Sequence, residues 1–125
     1  MKIEMIAAAD GPKAIGPYSP AVAARGTLYC SGQLGIDPAT GELAKGVRAQ
    51  AERALLNLKS LLAAAGLGFG DVAKTTIFLA DMADFAAVNE VYATHFAAPY
   101  PARSTIQVAA MPKGGLVEIE AVALA

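Results

Sequence analysis

The sequence has few of the residues that build disulfides and metal centres. Its 125 residues include one cysteine, Cys30, one histidine, His95, and no tryptophan. A single cysteine cannot form an internal disulfide, and one cysteine with one histidine cannot complete the usual zinc ligand sets. We therefore expect no bound metal. His95 is expected on the surface of a helix, since no serine or cysteine has the companion acid pattern of a catalytic triad.

Charged residues are also scarce. They make up 17% of the chain, with ten basic and eleven acidic residues and a net charge of −1, whereas about 25% is typical of soluble domains. The basic residues form no stripe that could follow a phosphate backbone, so we expect no nucleic-acid partner. An RNA-cleaving function also lacks support, because one histidine offers no acid–base pair. The low charge indicates that another subunit covers part of the surface.

Long apolar runs are absent as well. The longest stretch without Asp, Glu, Lys or Arg is residues 91–102, short of the roughly 18 residues that a membrane-spanning helix needs. The start of the chain carries Glu4 inside its apolar run and does not have the pattern of a signal peptide. We expect one soluble domain over residues 1–125, in the cytoplasm and without membrane association.

The hydrophobic pattern predicts an α+β fold with two amphipathic helices. The expected elements are a strand at residues 2–6, a hairpin of Ala21–Arg25 and Thr27–Ser31, a helix over Val47–Ala65 stopped by Gly66, a strand over Val72–Leu79, a helix capped by Asp81 or Asp84 with the stripe Phe85, Val88, Tyr92 and Phe96, and strands at Pro101–Val108 and Val117–Val122. A mixed sheet of about six strands with both helices on one face would leave its other face bare. Self-association with closed symmetry would cover that face.

Two charged groups in the last strands are the main functional candidates. Arg103 and Glu118 lie in stretches that are otherwise nearly neutral, and such charges need a partner or a ligand. The planar fork of an arginine suits a carboxylate, whereas Glu118 or Glu120 could act as a base. The alternative is a structural Arg–Glu ion pair between neighbouring strands. Burial would raise the pKa of Glu118 and an ion pair would lower it, and the sequence leaves both outcomes open.

Three further positions carry alternatives of their own. Tyr18 lies in the proline-stiffened loop Ile15–Pro20, where it either covers the core or directs its hydroxyl into a site. Gly32 allows a positive φ or a close backbone approach to a ligand, or serves a bulge. Asn89 lies next to the apolar stripe of the second helix, and the pattern alone places it on the solvated side.

Taken together, short motifs along the whole chain resemble the Rid family of imine deaminases, formerly called YjgF. The resemblance is carried by Ile15-Gly16-Pro17-Tyr18, Ser31-Gly32-Gln33, Lys74-Thr75-Thr76, Asn89, Pro101-Ala102-Arg103-Ser104, Pro112 and Ile119-Glu120-Ala121. Pro-Ala-Arg-Ser followed at a fixed interval by Glu-Ile-Glu-Ala is its most specific part.

The resemblance implies a chorismate-mutase-like fold and a homotrimer with sites in the clefts between subunits. It also implies hydrolysis of 2-imino acids, such as 2-iminopropanoate and 2-iminobutanoate, to 2-oxo acids and ammonia without a cofactor. An arginine matching Arg103 would bind the substrate carboxylate, and a glutamate matching Glu118 would position or activate water. Tyr18 and Asn89 match cleft residues, and the backbone of Ser31 and Gly32 lines the same pocket.

One position departs from the family pattern. Thr105 follows the Arg-Ser pair where the best-known members have cysteine. If that position contributes backbone groups to the substrate site, activity survives, and if the thiol shapes substrate choice, the preference differs. A different class of function is a non-catalytic protein that binds or senses 2-oxo acids through Arg103, but such a protein would have little use for Glu118.

Overall fold

Six strands and two helices build the fold. The computed structural model describes residues 2–125. Its elements are β1 (Glu4–Ile6), β2 (Ala21–Ala24), β3 (Thr27–Leu34), α1 (Val47–Ala64), β4 (Val72–Leu79), α2 (Phe85–Ala93), β5 (Ala102–Gln107) and β6 (Val117–Leu124), with 3₁₀ turns at Phe69–Asp71, Met82–Asp84 and Pro112–Gly114. Every predicted element is present, and the boundaries of the six strands and of α1 agree with the predicted ones to within three residues.

The strands form one mixed sheet in the order β1-β2-β3-β6-β4-β5. Only β4 and β5 are parallel, and they are connected through α2. The last strand, β6, lies between β3 and β4 and pairs antiparallel with both. The predicted mixed six-stranded sheet is therefore confirmed, and β6 is at its centre.

Helix α1 packs along the core face of the sheet. It begins after Gly46, whose φ is 86°, and ends near Gly66, whose φ of 75° favours a glycine and stops the helix as predicted. The residues that α1 buries are mostly apolar: Gln50, Ala51, Ala54, Leu55, Asn57, Leu58, Leu61 and Leu62. They pack against the buried positions of β3, β4 and β6 to form one core.

Helix α2 is shorter than the predicted stripe. It ends at Ala93, so Phe96 lies beyond the helix although its side chain is buried. Asp81 caps the preceding 3₁₀ turn by accepting a hydrogen bond from the backbone N–H of Ala83 at 2.9 Å. Val88 is buried as predicted, but Phe85 is 39% exposed and is not a core residue.

The face of the sheet opposite the helices is open in this chain. Along β6, buried residues alternate with partly buried ones, and Glu118 and Glu120 both point to the open face. Tyr29 and Ile106 belong to the same face, where they are 49% and 46% exposed. The predicted bare face is thus confirmed. Within residues 2–125, no helix is long and apolar enough to cross a membrane.

Strand β3 differs most from its predicted bounds. It continues past Ser31 through Gly32 and Gln33 to Leu34, with an irregularity in its pairing with β6 between Cys30 and Gln33. The sequence pattern ended the strand early because a glycine usually weakens one. Here the bulge accommodates the glycine and lets the strand continue.

Candidate functional site

Arg103 and Glu118 lie on opposite faces of the sheet. Arg103 pairs in register with Thr75, a fully buried residue of the core face, so its side chain extends on the side of the helices. Glu118 pairs with Phe78 on the open face. Strand β4 separates the two residues, so the alternative of an ion pair between neighbouring strands is wrong for this chain.

Arg103 lies in a shallow hollow beside α2. The residues that line it are Asn89, Tyr92, Ala93, Tyr100, Pro101 and Arg103. The guanidinium carbon lies over the ring of Tyr92, 4.9 Å from the centroid, and 5.6 Å from the centroid of Phe85. Asn89, which the pattern alone placed on the solvated side of α2, therefore faces this hollow and is partly buried.

Glu118 lies in a second hollow, whose walls come from the N-terminal loop and the end of β3. Its lining is largely apolar and includes Ile15, Tyr18, Leu34 and Ile36. The pKa of Glu118 is raised above its usual value, first by burial and then by the nearby negative charge of Glu120. The sequence left open whether burial raises the pKa of Glu118 or an ion pair lowers it, and in the structure burial raises it. A carboxylate with a raised pKa is a better proton acceptor.

Gly32 lets the carboxylate of Glu118 lie against the backbone of β3. A Cβ atom at position 32 would be 2.5 Å from Oε2 of Glu118 and 2.7 Å from its Cδ atom, closer than nonbonded atoms can approach. The backbone of Gly32 does not have a positive φ, so the predicted alternative that this glycine allows a positive φ is wrong. The close approach of a neighbouring group, together with the bulge, explains the glycine.

Tyr18 lines the hollow of Glu118 and does not cover the core. Its side chain is 50% exposed, and its hydroxyl accepts a hydrogen bond from the backbone N–H of Ile15 at 3.3 Å. Ser31 fastens the same loop to β3, since its hydroxyl donates to the carbonyl of Ser19 at 2.7 Å and its N–H to that of Pro20 at 2.9 Å. Tyr18, Ser31, Gly32 and Glu118 are thus brought together.

Thr105 is on the same face of β5 as Arg103, two residues further along. Its hydroxyl oxygen is buried and has no hydrogen-bond partner among the described residues. Thr105 does not belong to the lining of either hollow. Within one chain, the predicted site residues therefore fall into two groups, one around Arg103 and one around Glu118.

The sequence analysis missed two buried amides of α1, one of which, Asn57, bonds to two residues that line the Glu118 hollow. Asn57 donates hydrogen bonds from Nδ2 to the carbonyls of Leu34 and Ile36, at 3.1 and 2.9 Å. Gln50 donates to the carbonyl of Ala44 at 3.0 Å and accepts from the N–H of Leu116 at 2.9 Å. Their position on the otherwise apolar face of α1 is the signal that could have identified them. An amide on a buried face needs hydrogen-bond partners, so such a residue indicates a polar contact inside the fold.

His95 has a different environment from the predicted one. It follows the end of α2, its side chain is only 14% exposed, and Nε2 lies 2.7 Å from Oε2 of Glu52 on α1. It also makes an edge contact with Phe69. His95 thus joins α1 to the end of α2, away from both hollows. Within the described residues, no group of three or more His, Cys, Asp or Glu could hold a metal ion.

Comparison with known proteins agrees with this architecture. A family model described as endoribonuclease L-PSP matches residues 8–125. The curated 2-iminobutanoate/2-iminopropanoate deaminase of Capra hircus is 54% identical over 121 residues, which are 96% of this chain and 88% of that protein. The chain therefore belongs to the endoribonuclease L-PSP family, which contains the Rid/YjgF proteins, and the predicted membership is confirmed.

Solved structures share the fold almost completely. The structure of RidA from the Antarctic bacterium Psychrobacter sp. PAMC 21119 superposes with a TM-score of 0.95 at 48% identity, covering 98% of this chain and 99% of the other. The structure of E. coli TdcF with bound serine gives a TM-score of 0.93 at 43% identity, covering 98% of each chain.

Proposed function

We propose that this protein hydrolyses small 2-imino acids, 2-iminopropanoate and 2-iminobutanoate, to 2-oxo acids and ammonia. The observation that carries the proposal is the pair of hollows, one with a cation free of any ion pair in the described chain and one with a carboxylate of raised pKa. The relative from Capra hircus, 54% identical, bears the name of this activity. The bound serine of TdcF has an α-carboxylate, as 2-imino acids do.

Arg103 binds the carboxylate of the substrate. Its guanidinium forms two parallel hydrogen bonds with a carboxylate and thereby fixes the neighbouring C=N carbon. A protonated imine is already electrophilic, so orientation contributes much of the rate and no covalent nucleophile is needed. Asn89 lies beside Arg103 in the same hollow and binds the other polar groups of the substrate.

Glu118 orients a water molecule and accepts its proton. The water oxygen bonds to the imine carbon while the C=N π electrons move to nitrogen, and the resulting aminoalcohol expels ammonia as its hydroxyl becomes the new carbonyl. The proton that Glu118 took from water goes to the leaving nitrogen, and the ionised Glu118 then accepts the hydroxyl proton as the carbonyl forms and releases it to solvent. Tyr18 and Gly32 line the same hollow as Glu118 and confine the water, and Ser31 holds the loop that carries Tyr18 against β3. Thr105 lines neither hollow within one chain, and it contributes backbone groups to the substrate site only where two subunits meet.

The active assembly is a homotrimer with sites between subunits. Because Arg103 and Glu118 lie on opposite faces of one sheet, with β4 between their strands, a small substrate cannot reach both in one chain. A cyclic assembly that places the open face of one subunit against the β5 edge of the next brings the two hollows together, and it covers the exposed side chains of Tyr29 and Ile106.

The decay of 2-iminobutanoate, followed with and without the protein, tests the proposal. We expect the protein to accelerate the decay, and Arg103→Lys to reduce the rate well over tenfold because lysine keeps the charge but loses the planar fork, equivalent to more than about 1.4 kcal/mol. A wild-type protein that binds 2-oxobutanoate without hydrolysing the imine would instead support the non-catalytic binding function.

A further inference from the structure

The guanidinium of Arg103 is held by aromatic rings and not by acids. It lies over Tyr92 at 4.9 Å and over Phe85 at 5.6 Å from the ring centroids. No described acidic residue lies within salt-bridge distance of it, and none of the hydrogen bonds within the described residues uses its donors. Within the described residues of one chain, the cation is therefore held in place without an anionic partner.

This arrangement has a geometric consequence for ligand binding. A guanidinium presents its N–H donors at the edge of its plane, whereas a π system attracts it through its face. Aromatic contacts therefore leave the donor edge free for a carboxylate. An acidic partner in the same place would compete with the substrate for those donors.

Tyr92 is itself fixed from two sides. Its hydroxyl is 2.8 Å from the hydroxyl of Thr75, and Thr75 is the residue of β4 that pairs in register with Arg103. Its ring stacks on Phe96, with centroids 4.3 Å apart. Phe85 is less constrained, since it is 39% exposed whereas Tyr92 is 5% exposed. The more rigid of the two supports is therefore Tyr92.

We propose that Tyr92 is a positioning residue for the reaction, holding the guanidinium of Arg103 so that its donor edge faces the substrate carboxylate. The inference rests on the proposed function of Arg103. It gives Tyr92 a role beyond filling the core. The apolar stripe of α2 alone predicts only a core residue at this position. The hydrogen bond to Thr75 fixes the height of the ring above the strand that neighbours Arg103.

Three variants separate positioning from packing. Tyr92→Leu removes the π face, and Tyr92→Phe keeps it while losing the bond to Thr75. Phe69→Leu is the matched control, because it removes a partly buried ring of the same cluster that contacts Phe96 and His95 but supports neither Tyr92 nor Arg103. Calorimetric titration with 2-oxobutanoate measures carboxylate binding, imine decay gives kcat and KM, and urea unfolding measures stability. NMR of the Arg103 side chain reports the ring contact.

We expect Tyr92→Leu to raise the Kd for 2-oxobutanoate about 2- to 30-fold, the range expected for loss of a cation–π contact. Tyr92→Phe should restore most of the affinity, and Phe69→Leu should lose stability while keeping the Kd. The δ-protons of Arg103 should be shifted upfield by the ring current in the wild type and in Tyr92→Phe, and return towards ordinary values in Tyr92→Leu.

Distinct results would overturn the two proposals. An unchanged Kd in folded Tyr92→Leu, or an equal loss of affinity in Phe69→Leu, would reduce Tyr92 to a core residue. If Tyr92→Leu fails to fold, ordinary δ-proton shifts for Arg103 in the wild type would likewise reduce Tyr92 to a core residue. Failure of the wild type to bind 2-oxobutanoate would instead refute the role of Arg103, while the NMR shifts would still test the contact with Tyr92.

Discussion

At the scale of single residues, the ionisation of Glu118 controls the proposed reaction. Its pKa is raised above the usual value of 4.5, mainly by burial and further by the charge of Glu120. The base must be ionised to accept a proton, so hydrolysis should rise with pH as Glu118 loses its own proton. We therefore expect the acid limb of kcat/KM to lie at higher pH than an unperturbed glutamate would give.

The variant Glu120→Gln tests this dependence. It removes a neighbouring negative charge while keeping the shape, so the pKa of Glu118 should fall and the acid limb should move to lower pH. Wild type and variant are compared on the same imine, so that the titration of the substrate itself cancels. An acid limb that does not move, or that moves to higher pH, would show that Glu118 does not determine it.

Two threonines on neighbouring strands provide a matched test of buried hydroxyls. The hydroxyl of Thr75 is bonded to Tyr92, whereas the buried hydroxyl oxygen of Thr105 has no partner among the described residues. Thr75→Val should lower the free energy of unfolding by about 1–3 kcal/mol, because it leaves the buried hydroxyl of Tyr92 without its partner. Thr105→Val should leave the free energy of unfolding unchanged or raise it. Urea unfolding at one protein concentration measures both.

A marked loss of stability in Thr105→Val would mean that its hydroxyl has a partner after all, such as a group of a neighbouring subunit. Activity can be measured on the same samples. If Thr105 contributes backbone groups to the substrate site, Thr105→Val and Thr105→Cys should both hydrolyse 2-iminobutanoate at rates close to that of the wild type.

At the scale of elements, the contact between β3 and β6 sets the position of the base. Gly32→Ala would place a methyl group within 2.5 Å of the Glu118 carboxylate. The carboxylate is the far end of a flexible side chain and can move aside. We therefore expect hydrolysis to fall more than tenfold, or more than about 1.4 kcal/mol of transition-state stabilisation, with little change in stability.

Gly70→Ala is the control for this substitution, because Gly70 has no atom within 4 Å of an added Cβ and no positive φ. Imine decay and urea unfolding are measured for both variants. Full activity in Gly32→Ala would contradict the account of the glycine. A large loss of stability would show that the strands, and not only the carboxylate, must move apart.

The elements were also the most predictable part of the molecule. Apolar periodicity identified α1 and β4 closely, since their side chains divide cleanly between core and solvent. The end of β3 was missed because a bulge replaces the regular alternation around Gly32. The extent of α2 was overpredicted, since Phe96 continues the stripe and is buried without being helical.

The candidate site was predictable only in part. The sequence identified Arg103 and Glu118 as charges that need partners, and the family resemblance supplied Tyr18, Ser31, Gly32, Asn89 and Thr105. A sequence pattern does not give the order of strands in a sheet. The position of β4 between the strands of Arg103 and Glu118 is therefore seen only in the structure. The contact of Tyr92 with Arg103 likewise depends on packing between α2 and β5.

At the scale of the whole molecule, the open face of the sheet needs a cover. It carries partly buried and exposed apolar side chains together with two carboxylates. We expect sedimentation at micromolar concentration to show a homotrimer, because closed symmetry covers the same face on every subunit. A monomer under those conditions would exclude a site shared between subunits.

Mixing two inactive variants tests the shared site most directly. Arg103→Lys and Glu118→Gln subunits are unfolded together, refolded as a 1:1 mixture and assayed for imine decay. If each site takes Arg103 from one subunit and Glu118 from the next, about three quarters of the trimers contain both variants and have one wild-type site each. The mixture should then recover about a quarter of the wild-type rate, although each variant alone has less than about a tenth. Activity that stays at the average of the two variants would contradict the account.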